Sequence, residues 1–248
     1  LWTKIKSQAL RGRRTGLGIT GLGDMLAMLG IRYGSEASID ETEKVYRWLS
    51  SYAYMSSMMM AKERGSFDVH DADLEEEHPF LTRIFDSIDE MPKSDTIMSL
   101  PYKAAQMNQR WGRRNISITT TAPAGSVSVL TQTTSGIEPA YLLYYTRRRK
   151  VADGEDHDFI DDVGDRWKEY DVYHHKFNEW INITSAAGTP TELIAASPYA
   201  LATANNIDWV QKVKLQAVAQ RWVCHAISNT TNVPENTTVE TVKDIYMA

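Results

Sequence analysis

Cysteine is almost missing from this chain. Cys224 stands alone among 248 residues, so no internal disulfide can form and a reducing, cytoplasmic setting is the expectation. Long apolar runs are absent too: none reaches the length that crosses a bilayer, and Leu1-Trp2-Thr3-Lys4 opens neither a signal nor a transit peptide. There is no excess of positive charge, because 27 Lys and Arg face 32 Asp and Glu, a net charge of -5. Neither nucleic acid nor a membrane is therefore expected as a partner. Histidine is sparse, and the six present show no H-x-x-x-H, H-E-x-x-H or mixed cysteine spacing, so no metal site is expected. His174 and His175 are adjacent, which on a helix sends them to different sides. No repeat and no low-complexity linker interrupts the chain.

What remains is an ordinary soluble composition, 42% hydrophobic and 24% charged, long enough for one sizeable core. The basic residues are clustered rather than spread: Arg11, Arg13 and Arg14; Arg110, Arg113 and Arg114; Arg147, Arg148, Arg149 and Lys150. Such clusters are either solvated faces or anion contacts. The chain starts without methionine and stops inside a helical pattern beginning near Thr238. Residues 1–248 are accordingly read as one partial domain, truncated at both ends.

In chain order, residues 1–14 read as a basic helix. Gly16-Leu17-Gly18-Ile19-Thr20-Gly21 matches G-x-G-x-x-G by letter, but the hydrophobic strand that should precede it is replaced by Arg11 to Thr15, so a dinucleotide site is rejected. These glycines instead suit a short strand, Leu17 to Thr20, passing close to neighbouring backbone. Asp24 starts a helix to Leu29. Asp40 and Glu43 form a capping box for a long helix to Arg64, with Val45, Leu49, Tyr52 and Met59 inward, Trp48 and Met55 widening the stripe, and Met58 to Met60 as packing filler. Asp71 to Glu77, flanked by His70 and His78, reads as a solvated acidic loop. A helix over Pro79 to Ile88 and a loop holding Pro92 and Pro101 follow. Tyr141 to Thr146 reads as a strand, Phe159 to Ala187 as helical with a break near Asp171, and Pro190 to Ala196 as a helix. Asp208 caps a helix to Ala226 with Trp209, Val213, Ala217 and Val218 inward, and Cys224 in its last turn is a small core residue. Ser228 to Val233 is a short strand, and Thr238 caps the last helix. Alternating strands and helices predict an α/β class with helices outside a largely parallel sheet.

The most informative stretch is Asn115 to Ser128. Isoleucines alternate with hydroxyl residues over 116–121, a strand pattern, and then Ala122-Pro123-Ala124-Gly125-Ser126-Val127-Ser128 turns small and polar. Such a loop lets backbone N–H groups and hydroxyls approach an anion; the plain alternative is a tight turn with polar decoration.

Several stretches in order resemble one family, the large catalytic subunit of ribonucleotide reductase. Arg13 to Asp24 is similar to its R-R-x-G-L-G-x-x-G-L-x-D segment, and Ala61 to Phe67 to A-x-E-x-G-x-F. Ala122 to Ser128 resembles A-P-T-G-T-I-S, followed at the family's distance by Ser135-Gly136-Ile137-Glu138-Pro139. Ser228 to Pro234 resembles S-x-T-x-N-L-P. The form of the loop and the run Tyr144 to Arg149 are most like the adenosylcobalamin-dependent class.

The resemblance implies a ten-stranded α/β barrel, with this chain supplying mainly its second half. It implies reduction of ribonucleotides at the 2′ carbon by thiyl-radical chemistry. The substrate phosphate would lie on Pro123, Ala124, Gly125, Ser126 and Val127, supported by Ser128, Gly136 and Glu138. Ala124 replaces the usual threonine or serine and removes one hydroxyl donor. The implied partners are a ribonucleotide, the remaining half of the barrel and a thioredoxin-like dithiol reductant, with adenosylcobalamin held mainly by parts outside this sequence. The family's N-x-C-x-E motif and its reducing cysteines do not occur here, so no catalytic residue is expected in this chain and the chain alone is expected to be inactive. A non-catalytic nucleotide- or phosphate-binding domain, or a structural half-barrel, are the alternatives.

Overall fold

The computed structural model describes residues 1–92 and 102–248; the expected loop from Pro92 to Pro101 falls mostly outside them. The chain forms a helix-rich α/β fold: α1 (Trp2–Gly12), α2 (Leu22–Met28), α3 (Glu36–Arg64), α4 (Ala72–Glu75), α5 (Pro79–Asp89), α6 (Ala104–Trp111) and α7 (Gly125–Thr131) precede the first strand. Strands β1 (Tyr144–Lys150), β2 (Phe159–Ile160) and β3 (Arg166–Tyr173) follow, then α8 (His175–Thr184), α9 (Pro190–Ala196), α10 (Trp209–Gln220) and α11 (Val239–Met247). Among the described residues, no helix is long and apolar enough to cross a membrane.

The centre of the fold is α3. It begins earlier than the Asp40 capping box suggests, because Ser35 accepts from the Ser38 N–H and takes the cap. Its buried face is also turned from the expected one: Thr42, Tyr46, Ser50, Tyr54, Ser57 and Ala61 lie inward, Met55 and Met58 are buried as expected, and Trp48 and Met60 are exposed. Small hydroxyl residues pass as polar in a sequence pattern, yet here each finds an acceptor. Ser50 donates to Trp222 O at 2.5 Å, Ser51 to Ser87 Oγ at 2.9 Å and Ser57 to Asn115 Oδ1 at 2.9 Å. Paired in this way, they cost little to bury and allow close helix contact. Around this face pack Ile84, Met107, Leu215 and Trp222 from α5, α6, α10 and the segment after α10. A second, smaller core gathers Leu143, Phe177, Leu193 and Tyr199.

The expected parallel sheet is reduced to isolated bridges. Leu17 pairs in parallel with Thr119, and Thr121 with Ile227, so the segment 117–121 runs between two short extended neighbours rather than within a regular strand ladder. Gly18 makes the first pairing possible: a Cβ there would sit 2.3 Å from Thr120 O. The expected closeness of backbone at these glycines is thus what the structure contains.

The regular sheet is antiparallel, in the order β1-β3-β2, and its charges form a ladder of surface ion pairs, including Arg148–Glu169, Lys150–Asp165 and Lys168–Asp156. This corrects the helical expectation for residues 159–173: the acidic and basic residues there face each other across strands instead of along a helix. The strand expected at Tyr141 to Thr146 starts later, at Tyr144. The acidic run after His70 contains one helical turn, α4, and Glu75 in it pairs with the buried Arg113. The helix α6 went unseen, and α10 ends at Gln220, which leaves Cys224 beyond the helix.

Candidate functional site

Because the extended segments at 17, 119–121 and 227 run parallel, their carboxyl ends point the same way. Thr20, Ala122 to Gly125 and Ser228 to Asn232 are therefore gathered at one end of the fold, the end where parallel α/β folds place ligands. The segment 117–121 is anchored beneath them: Tyr46 OH and Thr121 Oγ1 lie 2.8 Å apart, and burial pushes the Tyr46 phenol up to about 12. Past Thr121 the chain leaves the core. Pro123, Gly125, Ser126 and Val127 are exposed, and Ala124 is the N-cap of α7.

In this first helical turn the N–H groups of Gly125, Ser126 and Val127 have no acceptor within the helix, whereas the Ser128 N–H already bonds Ala124 O at 2.7 Å. A Cβ added to Gly125 would meet nothing within 4 Å, so the approach is open. Ser128, by contrast, is buried and its hydroxyl donates to Gly125 O at 2.8 Å, which closes the turn from behind. The front of the loop, at Gly125, Ser126 and Val127, is exposed.

The residues after α7 form a strap, 133–138, laid across the start of α2. Thr20 Oγ1 donates to Thr134 O at 2.9 Å and the Gly21 N–H to the same oxygen at 2.8 Å. Gly136 has φ 53 and its N–H reaches Thr20 Oγ1 at 3.3 Å. Gly23 admits the strap, since a Cβ there would lie 2.9 Å from Glu138 O. The strap reaches the loop through Ser135, whose Oγ accepts the Ala124 N–H at 3.0 Å.

Two clamps hold this assembly: Asp24 ends the motif read at Arg13 to Asp24 and Glu138 is an expected support, whereas their partners His174, Tyr199 and Lys212 stand in no motif. Asp24, 2% exposed, does not cap α2, whose N-cap is Gly21. Its Oδ2 instead accepts the Thr134 N–H at 2.7 Å, while Oδ1 accepts Tyr199 OH at 2.8 Å and lies 2.7 Å from His174 Nε2. Burial alone would raise its pKa, but hydrogen bonding and charge from His174, with the Tyr199 and Thr134 donors, hold it below the ordinary 3.8. The second clamp is Lys212, buried on α10, which donates to Glu138 Oε2 at 2.6 Å and also to Thr230 O. Glu138 Oε1 accepts the Thr230 N–H at 2.7 Å, so this carboxylate ties the strap to the 228–232 segment. The expected inward face of α10 was Trp209, Val213, Ala217 and Val218; the buried positions are instead Lys212, Leu215 and Ala219.

Between strap, clamps and the start of β1 lies a cavity of about 660 Å³, walled by Ser135, Glu138, Tyr141, Tyr145, His174 and Asn232 among others. On the far side of the 117–121 segment, Cys224 is half-buried, and its Sγ accepts the N–H groups of Ile118 at 3.1 Å and Thr119 at 3.2 Å. Burial raises the thiol pKa, but the Tyr54 hydroxyl and these donors outweigh it and the net direction is down. Among the described residues, no group of three His, Cys, Asp or Glu side chains could hold a metal ion.

A family model described as the ribonucleotide reductase barrel domain matches residues 2–248. The chain is 28% identical over 240 residues to a vitamin B12-dependent ribonucleoside-diphosphate reductase of Mycobacterium tuberculosis (strain ATCC 25618 / H37Rv), covering 95% of this chain and 29% of that protein. A protein of the same description from Thermoplasma acidophilum is 24% identical over 244 residues, with 98% and 27% covered. The ribonucleoside-diphosphate reductase subunit alpha of Chlamydia pneumoniae is 28% identical over 155 residues, 56% of this chain and 14% of that protein. The chain thus spans under a third of the length of the curated relatives it matches.

Proposed function

From the premise that this chain belongs to the ribonucleotide reductase barrel-domain family, we propose that it supplies the phosphate end of a ribonucleotide site, within a protein that converts ribonucleotides to deoxyribonucleotides. The single observation that carries this reading is the open first turn after segment 117–121, at the end where all three parallel segments stop. The N–H groups of Gly125, Ser126 and Val127, with the Ser126 hydroxyl, take the phosphate oxygens; Pro123 and Ala124 shape the approach. Ser128 closes the turn from behind, and Gly136 gives the strap its bend. Glu138 is a carboxylate near an anion site, yet its charge is matched by Lys212 at 2.6 Å, so it orders the 228–232 segment without repelling the substrate. The missing hydroxyl at Ala124 leaves the backbone to carry more of the contact.

The ten-stranded barrel belongs to this proposal as well, with the three parallel segments as part of it. Ribonucleotide, the rest of the barrel and a thioredoxin-like dithiol reductant are the partners. Adenosylcobalamin is the cofactor proposed for the whole protein, in line with the names of its relatives. We propose that it is held mainly by parts of the protein outside this chain; the cavity beside the strap, about 660 Å³, has the size for a drug-sized ligand. The binding reading is tested by calorimetric titration with ribonucleoside diphosphate and with pyrophosphate. Gly125→Asp, which puts a carboxylate in the open approach, is expected to abolish both, and Ser126→Ala to weaken both. Binding indifferent to both changes overturns it.

A further inference from the structure

Asp24 is a buried carboxylate in contact with three segments distant in sequence, and nothing in the phosphate loop itself explains it. We propose that Asp24 is the positioning residue of that loop, acting through the strap; the inference rests on the phosphate reading of residues 123–127. The linkage is short. Asp24 Oδ2 takes the Thr134 N–H at 2.7 Å, and the next residue, Ser135, takes the Ala124 N–H on its hydroxyl at 3.0 Å. Ala124 caps α7, so this bond pins the peptide from which the first turn, with its three free N–H groups, begins. Thr133 closes the same circuit, its N–H bonding Ser128 O at 3.0 Å.

The other two partners of Asp24 explain why its position is firm. Tyr199 OH and His174 Nε2 both meet Oδ1, from the far side, and the rings of His174 and Tyr199 pack edge to face with centroids 5.8 Å apart. A carboxylate gripped on one oxygen can offer the other in a fixed direction. The two oxygens therefore do different work: one is held by the core, the other holds the strap. Asparagine can keep the strap bond, turning its carbonyl to Thr134 and its amide to the Tyr199 oxygen and a neutral His174. Alanine keeps neither.

The test is calorimetric titration of pyrophosphate and a ribonucleoside diphosphate into the chain, with thermal melting of each variant alongside. Asp24→Ala is expected to weaken binding of both probes about tenfold, the equivalent of one well-formed hydrogen bond. Asp24→Asn should stay within about threefold of the parent, a rescue that a merely structural role does not require. Ser135→Ala, at a half-buried site where folding is not at stake, should weaken binding as Asp24→Ala does, and the two together should not add. Tyr199→Phe, which leaves His174 on Oδ1, should lower the melting temperature and weaken binding by less than Asp24→Ala does. Should Asp24→Ala not fold, Ser135→Ala and Asp24→Asn carry the test. Parent-like binding by folded Asp24→Ala or by Ser135→Ala overturns the proposal, and so does an equal loss in Tyr199→Phe. If Gly125→Asp binds as the parent does, the phosphate reading falls first and this inference with it.

Discussion

Lys212 and Glu138 pose the sharpest energetic question at a single position. The lysine side chain is 3% exposed and the carboxylate 24%, so removing either partner strands the other in poor solvent. Lys212→Met is expected to cost about 2–4 kcal/mol, read from the urea midpoint, with part of the loss recovered by adding Glu138→Gln. Asp24 gives a pH signature. Its folded-state pKa lies below the ordinary 3.8, so it stabilises the fold above that value, and the contribution is lost as pH falls through the folded pKa. Melting curves taken from pH 5 downward should fall more steeply for the parent than for Asp24→Asn. On the surface the outcome reverses: Arg148→Ala breaks an exposed pair at 2.7 Å and should change stability by less than about 0.5 kcal/mol.

Among the elements, those with explicit punctuation were legible. α9 lies where Thr189, Pro190 and Glu192 mark it, and α11 follows its Thr238 cap. β3 was not legible, because Arg166 to Tyr173 carries charges and aromatics whose partners are on β1, a pairing that no local period records. α3 was half legible: its length was plain, but its buried face is built of serine, threonine and tyrosine, and only the acceptors on other segments make those residues core. The candidate loop was legible as a motif, and Asp24 as the end of another, while His174, Tyr199 and Lys212 were not, since each acts on a segment more than 70 residues away. Gly18 offers a test at this scale. With backbone 2.3 Å from any added Cβ, Gly18→Ala must push residues 18 and 120 apart, and a loss of about 2–4 kcal/mol is expected in thermal melting.

For the molecule as a whole, the role proposed for this chain is binding without transformation. One cysteine cannot furnish both a thiyl radical and a dithiol, so the 248-residue chain with ribonucleotide, adenosylcobalamin and dithiothreitol is expected to release no deoxyribonucleotide, measured by chromatography of the products. That same scarcity has a practical side. Cys224 is the sole thiol, and its sulfur is wired to the amides of Ile118 and Thr119, the base of the segment that ends in the loop. A fluorophore attached there carries a one-to-one label with no engineering of the sequence. Its anisotropy would report, from below, whether the loop above is filled.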